Sequence, residues 1–128
     1  MMSIRLDHTI VHAKDQKRSA EFLSEILGVG PPQRFSHFHT VRLDNGVTLD
    51  YMETDSEFEI QHFAFLVDDA DFDAIFGRIR ERGLPYWADP FHRIPNQINT
   101  NDGGRGVYFD DPSGHYLEII TKPYGSGK

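Results

Sequence analysis

Alternating and helically spaced apolar positions divide the chain into two halves that carry the same series of elements. Ile4 to Val11 alternates as a strand. From Asp15, placed to cap a helix, Phe22, Leu23, Ile26 and Leu27 form one apolar stripe that Gly28 ends. Pro31-Pro32 forces an irregular entry, after which short strands are predicted near Arg34, from His39 to Leu43 and from Val47 to Met52. Asp44-Asn45-Gly46 predicts a hairpin with a two-residue turn, because Asn-Gly supplies the positive backbone angles such a turn demands. The order is βαβββ.

The second half repeats it. A strand is predicted from Ile60 to Val67. A helix follows from about Asp71, with Phe72, Ile75, Phe76 and Ile79 on one face and Gly83 at its end. Segments at Tyr86 to Trp87, Gly106 to Phe109 and His115 to Thr121 supply the remaining strands, the last two joined by the Asp111-Pro112-Ser113-Gly114 turn. Aligning His8 with His62, an offset of 54, also pairs Asp15 with Asp69 and Phe22 with Phe76. Near the end of each half the offset becomes 68, where Gly46 to Asp50 matches Gly114 to Glu118. The additional length is assigned to Pro95–Gly104, rich in Asn and Gly, which reads as a mobile lid over the cleft.

Strand parity gives these matched positions chemical meaning. His8 shares a face with Ile10 and His12, and His62 shares one with Ala64 and Leu66, in each case opposite the residues that meet the amphipathic helix. Asp50 and Glu118 alternate with apolar neighbours in the same way. All four are thereby able to point into one cleft. Two imidazoles and one or two carboxylates are costly to bury unpaired, and a divalent cation removes that cost. Nitrogen and oxygen donors suit Fe, Mn, Co, Ni or Zn, and two His with one carboxylate leave positions open for substrate. The plainer alternative is that these are ordinary strand histidines and rim carboxylates.

Composition narrows the partners. With 128 residues, 38% of them hydrophobic, the chain supports one domain of ordinary size. A formal charge of −7 opposes binding to nucleic acid and to anionic membranes. The absence of cysteine leaves only imidazole and oxygen donors for a metal. No signal-peptide pattern or spanning apolar run is visible, so a cytoplasmic location is expected.

Three segments, LDHTIVHAKD, IQHFAFLVDD and above all GVYFDDPSGHYLEII, resemble the vicinal oxygen chelate superfamily of glyoxalase I, extradiol dioxygenases, and fosfomycin- and bleomycin-resistance proteins. The resemblance covers nearly the whole chain. It implies an α+β fold in which two tandem βαβββ modules, about 1–56 and 57–128, form a curved mixed sheet around a cleft with helices on the outer face. It further implies one divalent metal ion per site, held by His8, His62 and Glu118. Asp50 stands where glyoxalase I has a second glutamate; one methylene shorter, it is a further ligand, a water-bridged contact or a general base. The implied activity is that of a metal-dependent isomerase, lyase or extradiol-type dioxygenase acting on a small chelating substrate, with Glu118 and Asp50 as catalytic groups. The alternative is a metal-free drug- or metabolite-binding protein of the bleomycin-resistance type. A two-fold homodimer with the cleft at or near its interface is expected.

Other residues carry weaker expectations. His12, Met52 and Tyr116 share the cleft parity and are candidates for the substrate pocket. Arg105 either binds an anionic substrate or pairs with an acid. His37, His39 and His92 are expected at the surface, His115 on the helix side, and Trp87 in the core.

Overall fold

The computed structural model describes residues 3–127. The chain divides between Phe58 and Glu59 into two compact units. Each is one helix on a four-stranded mixed sheet, so the architecture is α+β with a βαβββ order in both.

In the first unit β1 (His8–Ala13) runs parallel to β4 (Thr48–Glu53), and β3 (Phe38–Arg42) and β2 (Gln33–Phe35) follow antiparallel, in the order β1-β4-β3-β2. The strand begins at His8, not Ile4: Ile4 and Leu6 are exposed, and among the described residues no neighbour pairs with them to extend the ladder. Helix α1 (Gln16–Leu27) forms where expected. The Asp15 carboxylate accepts from the Arg18 amide at its start, a cap that contributes about 1 kcal/mol. Gly28, at φ 74°, ends it in the left-handed conformation. Its buried face centres on Ala20, Leu23 and Ile26, against Val11, Ala13, Val41, Leu49 and Tyr51 of the sheet face that shares their burial. Phe22 and Leu27, at the margins of the predicted stripe, are only half-buried.

The β3–β4 turn differs from the expected one. Among its residues only Gly46 has a positive φ, 88°, while Leu43 and Val47 close the ladder around a three-residue connection. The Asn45 side chain accepts from the Val47 amide and so substitutes for the second left-handed residue.

The second unit repeats the topology as β5-β8-β7-β6, with β5 (His62–Leu66) parallel to β8 (Tyr116–Ile120), and β7 (Gly106–Asp110) and β6 (Tyr86–Trp87) antiparallel beyond it. Helix α2 (Asp69–Glu81) starts two residues before the predicted Asp71, because Asp68 caps it by accepting from the Asp71 amide at 2.8 Å. Phe72, Ile75 and Ile79 are its buried residues, and Phe76 meets the Tyr86 ring edge-on at 5.1 Å. Gly83, at φ 65°, closes it as expected.

The two units differ in one connection. Ser36 and His37 alone join β2 to β3, whereas residues 88–105 join β6 to β7. The additional length therefore starts at Ala88, upstream of the assigned Pro95. This segment is laced into the sheet: Ala88 and Asn96 amides bond Ile94 and Tyr86 carbonyls, Asn99 and Gly106 exchange two backbone bonds, and the Asn99 amide side chain bonds the Ala88 carbonyl at 2.9 Å. A short 3-10 turn, Asn101–Gly103, follows, and the Asp102 carboxylate accepts from the Gly125 and Gly127 amides. Among the described residues no helix is long and apolar enough to cross a membrane.

Candidate functional site

Register places the matched residues in equivalent rows. In the first unit Ile10, Asp50 and Thr40 lie opposite one another across β1, β4 and β3, with His8 opposite Thr48 in the next row. In the second unit Ala64, Glu118 and Tyr108 lie across β5, β8 and β7, with His62 opposite Tyr116. The repeat inferred from the chain is thus reproduced strand by strand.

The second half-site is closed. His62 reaches diagonally to Glu118, its Nε2 lying 3.0 Å from Oε1. Glu118 is 1% exposed, so its carboxylate has left water almost completely. The Tyr124 hydroxyl donates to the same oxygen at 3.4 Å and lies 3.2 Å from the Tyr108 hydroxyl. Burial, and then hydrogen bonds to Tyr124 and Glu118, push the Tyr108 phenol far above its ordinary range, so it stays protonated. Tyr108 also meets the His62 ring edge-on at 5.8 Å.

The first half-site is more open. Asp7 holds His8 through a 2.6 Å contact between Oδ2 and Nδ1, which raises the imidazole pKa; burial opposes the shift, and Asp50 adds to it through its charge. In the neutral imidazole, Nδ1–H engaged by a carboxylate leaves the lone pair on Nε2, the tautomer a metal-ligating histidine needs. Asp50 is buried, and its Oδ1 has no hydrogen-bond partner among the described residues. His8 and Asp50 line a concavity of about 980 Å³ with Ile10, Thr40, Thr48 and Phe38.

An orphaned buried carboxylate oxygen, a second carboxylate sharing one oxygen between imidazole and phenol, and a histidine held in the ligating tautomer fit a hard-to-borderline cation bound by nitrogen and oxygen. Within either unit, among the described residues, no three imidazole or carboxylate groups gather into a metal-holding cluster. Each unit presents a pair, His8 with Asp50 and His62 with Glu118.

The remaining candidates fall as follows. His12 is half-buried beside the Phe58 ring, and Met52 is opposite it in the ladder. Tyr116 is exposed beside His62. The Arg105 guanidinium contacts Asp69 and Asp73 at 3.0 and 2.7 Å and lies 4.4 Å from the Phe72 ring, which places it on α2. His115 is fully buried and accepts from the Gln61 amide. His37 is exposed as expected.

Three expectations need correction. His39 is no surface group: Gln16 binds its Nδ1 at 2.8 Å, because β3 pairs it with the buried Tyr51. Trp87 is half-buried, and opposite Tyr108 it shares the face of Glu118 and not the core face. His92 stacks on Trp87 at 3.9 Å, also away from open surface. Residue type alone carried no signal for His92. For Trp87 the signal was its pairing with Tyr108, which an 18-residue connection conceals.

Residues 5–119 match the family model described as the Glyoxalase/Bleomycin resistance protein/Dioxygenase superfamily. The chain is 59% identical to a solved structure named oxidase ChaP-H1, covering 96% of this chain and 99% of that one with a TM-score of 0.94. For oxidase ChaP-H2 the identity is 57%, the coverage 99% and 100%, and the TM-score 0.96. The glutathione transferase FosA of Serratia marcescens is 28% identical over 120 residues, which span 89% of this chain and 78% of that protein.

Proposed function

Since the chain belongs to the Glyoxalase/Bleomycin resistance protein/Dioxygenase superfamily, we propose that it is a metal-dependent oxidase of dioxygenase type acting on a small substrate that chelates through adjacent oxygens. The observation that carries this choice over isomerase or lyase chemistry is the near-complete likeness, at 59% and 57% identity, to two proteins named oxidases.

His8, His62 and Glu118 are the proposed ligands of one divalent ion, which when bound supplies Lewis acidity and open coordination positions. Asp7 fixes the His8 tautomer. Tyr124 holds the Glu118 carboxylate through its hydroxyl, and Tyr108, kept protonated, supports Tyr124. Asp50, with a buried free oxygen, is the group proposed to accept a proton from substrate in the first half-site. Ile10 and Met52 supply apolar surface beside it. His12 and Tyr116 complete the proposed substrate contacts, while Arg105, paired with Asp69 and Asp73, is assigned to the α2 surface. A cytoplasmic two-fold homodimer with the metal cleft at or near its interface is the assembly we infer.

Elemental analysis of protein purified without chelator or added metal, followed by oxygen uptake with catechols, tests the reading. One transition-metal ion per ligand set and substrate-dependent oxygen consumption are expected. Metal-free protein that still binds catechols tightly would instead make the chain a sequestering protein.

A further inference from the structure

The β6–β7 connection does something the fold does not require. The first unit forms the same four-stranded sheet with two residues at this place. In the second unit the longer segment turns tightly at residues 89–94. The Asp89 carboxylate accepts from the amides of Phe91, Arg93 and Ile94, and the Ala88 amide bonds the Ile94 carbonyl. At the turn's apex His92 is held at φ 59°, a left-handed conformation that a residue with a Cβ adopts at a cost.

This turn delivers the imidazole to the face that carries His62 and Glu118. Trp87, Tyr108 and Glu118 form one row across the sheet, and Asp110, Tyr116 and His62 form the next. His92 bridges the rows. Its ring stacks on Trp87 at 3.9 Å with 20° between planes and meets Tyr116 at 4.8 Å with 61° between planes. Its Nε2 lies 3.2 Å from Asp110 Oδ1, an ion-pair distance without hydrogen-bond geometry. Tyr116, fixed from behind by His92, keeps 36% of its surface exposed beside His62.

We propose that His92 determines substrate specificity by bracing Tyr116 as a flat π surface beside His62, so that the site takes a planar aromatic ring bearing adjacent oxygens. This rests on the reading that His62 and Glu118 hold the reacting group. Ring faces carry negative quadrupole potential and attract the positive edge or offset face of another ring, while the Asp110 carboxylate disfavours an aliphatic anion. Arg105, the cation with which such an anion would otherwise pair, is engaged by Asp69 and Asp73.

The test uses the full chain loaded with zinc and titrated calorimetrically with 2,3-dihydroxynaphthalene, a planar chelator, and with oxalate, a chelator without a ring. Zinc content is measured first on each sample. Its absence overturns the ligand-set reading alone, and diol binding to the same metal-free protein then tests the aromatic surface. His92→Ala is expected to weaken diol binding about tenfold and leave oxalate within about twofold, while His92→Phe stays within about threefold of the parent for both. Thermal unfolding of each variant, followed by far-UV circular dichroism, checks that the fold persists. An unchanged diol affinity in His92→Ala would overturn the proposal. So would equal losses for diol and oxalate, or a loss in His92→Phe as deep as in His92→Ala.

Discussion

Glu118→Gln separates a residue kept for chemistry from one kept for stability. The side chain is 1% exposed, and among the described residues the ionisable side chain within ion-pair distance of it is His62, whose side chain is 39% exposed. Burying a carboxylate costs several kcal/mol, and a half-solvated imidazole at 3.0 Å returns only part of that. Glutamine has the same shape and keeps an acceptor for the Tyr124 hydroxyl at 3.4 Å. It removes the desolvated charge at the loss of one charge-assisted contact. The balance is about 1 kcal/mol in favour of the variant, or roughly 3 °C in Tm for a chain of this size. Metal affinity moves the other way, because a neutral amide is a poor ligand where the proposed carboxylate bound. Thermal unfolding of chelator-treated protein and calorimetric metal titration, run on the same samples, give the two signs. A variant destabilised by more than about 2 kcal/mol without metal would show that Glu118 is a structural ion-pair partner, and the argument would fail.

Three further perturbations bear on particular residues. Asp7→Asn is expected to lower metal affinity about tenfold, the low end for a carboxylate behind a ligating histidine because this pair is solvent-exposed; an affinity unchanged at low salt would remove Asp7 from the site. Arg105→Ala should cost about 1 kcal/mol in urea unfolding, since its carboxylate partners are largely exposed, with KM unaltered; a tenfold rise in KM would make it a substrate residue. Burial raises the Asp111 pKa against the hydrogen bonds from His115, Ser113 and Gly114, so its contribution to stability is greatest below the unfolded-state value and is lost as pH rises through the folded one. Asp111→Asn should therefore gain on the parent progressively as pH rises above the ordinary carboxylate range, and a stability difference independent of pH would contradict this assignment.

The chain by itself determined what depends on local periodicity. Alternation set His8, His62 and Glu118 on strand faces opposite the helices, since side-chain direction on a strand follows from parity alone. Helical spacing located α1 and α2, and the changing offset between matched halves showed that one connection was longer. What tertiary structure decided depends on partners distant in sequence. Only the parallel pairing of β5 with β8 lets His62 reach diagonally to Glu118. The β6 register, set across an 18-residue connection, turns Trp87 to the face of Glu118, and a web of backbone bonds fixes His92 above it. The β3–β4 turn departed from its expected form because an asparagine side chain satisfied an amide that a dipeptide rule assigns to backbone geometry. Parity is a property of every residue in a strand, whereas register and loop conformation are settled by competition among long-range hydrogen bonds that no short stretch of sequence contains.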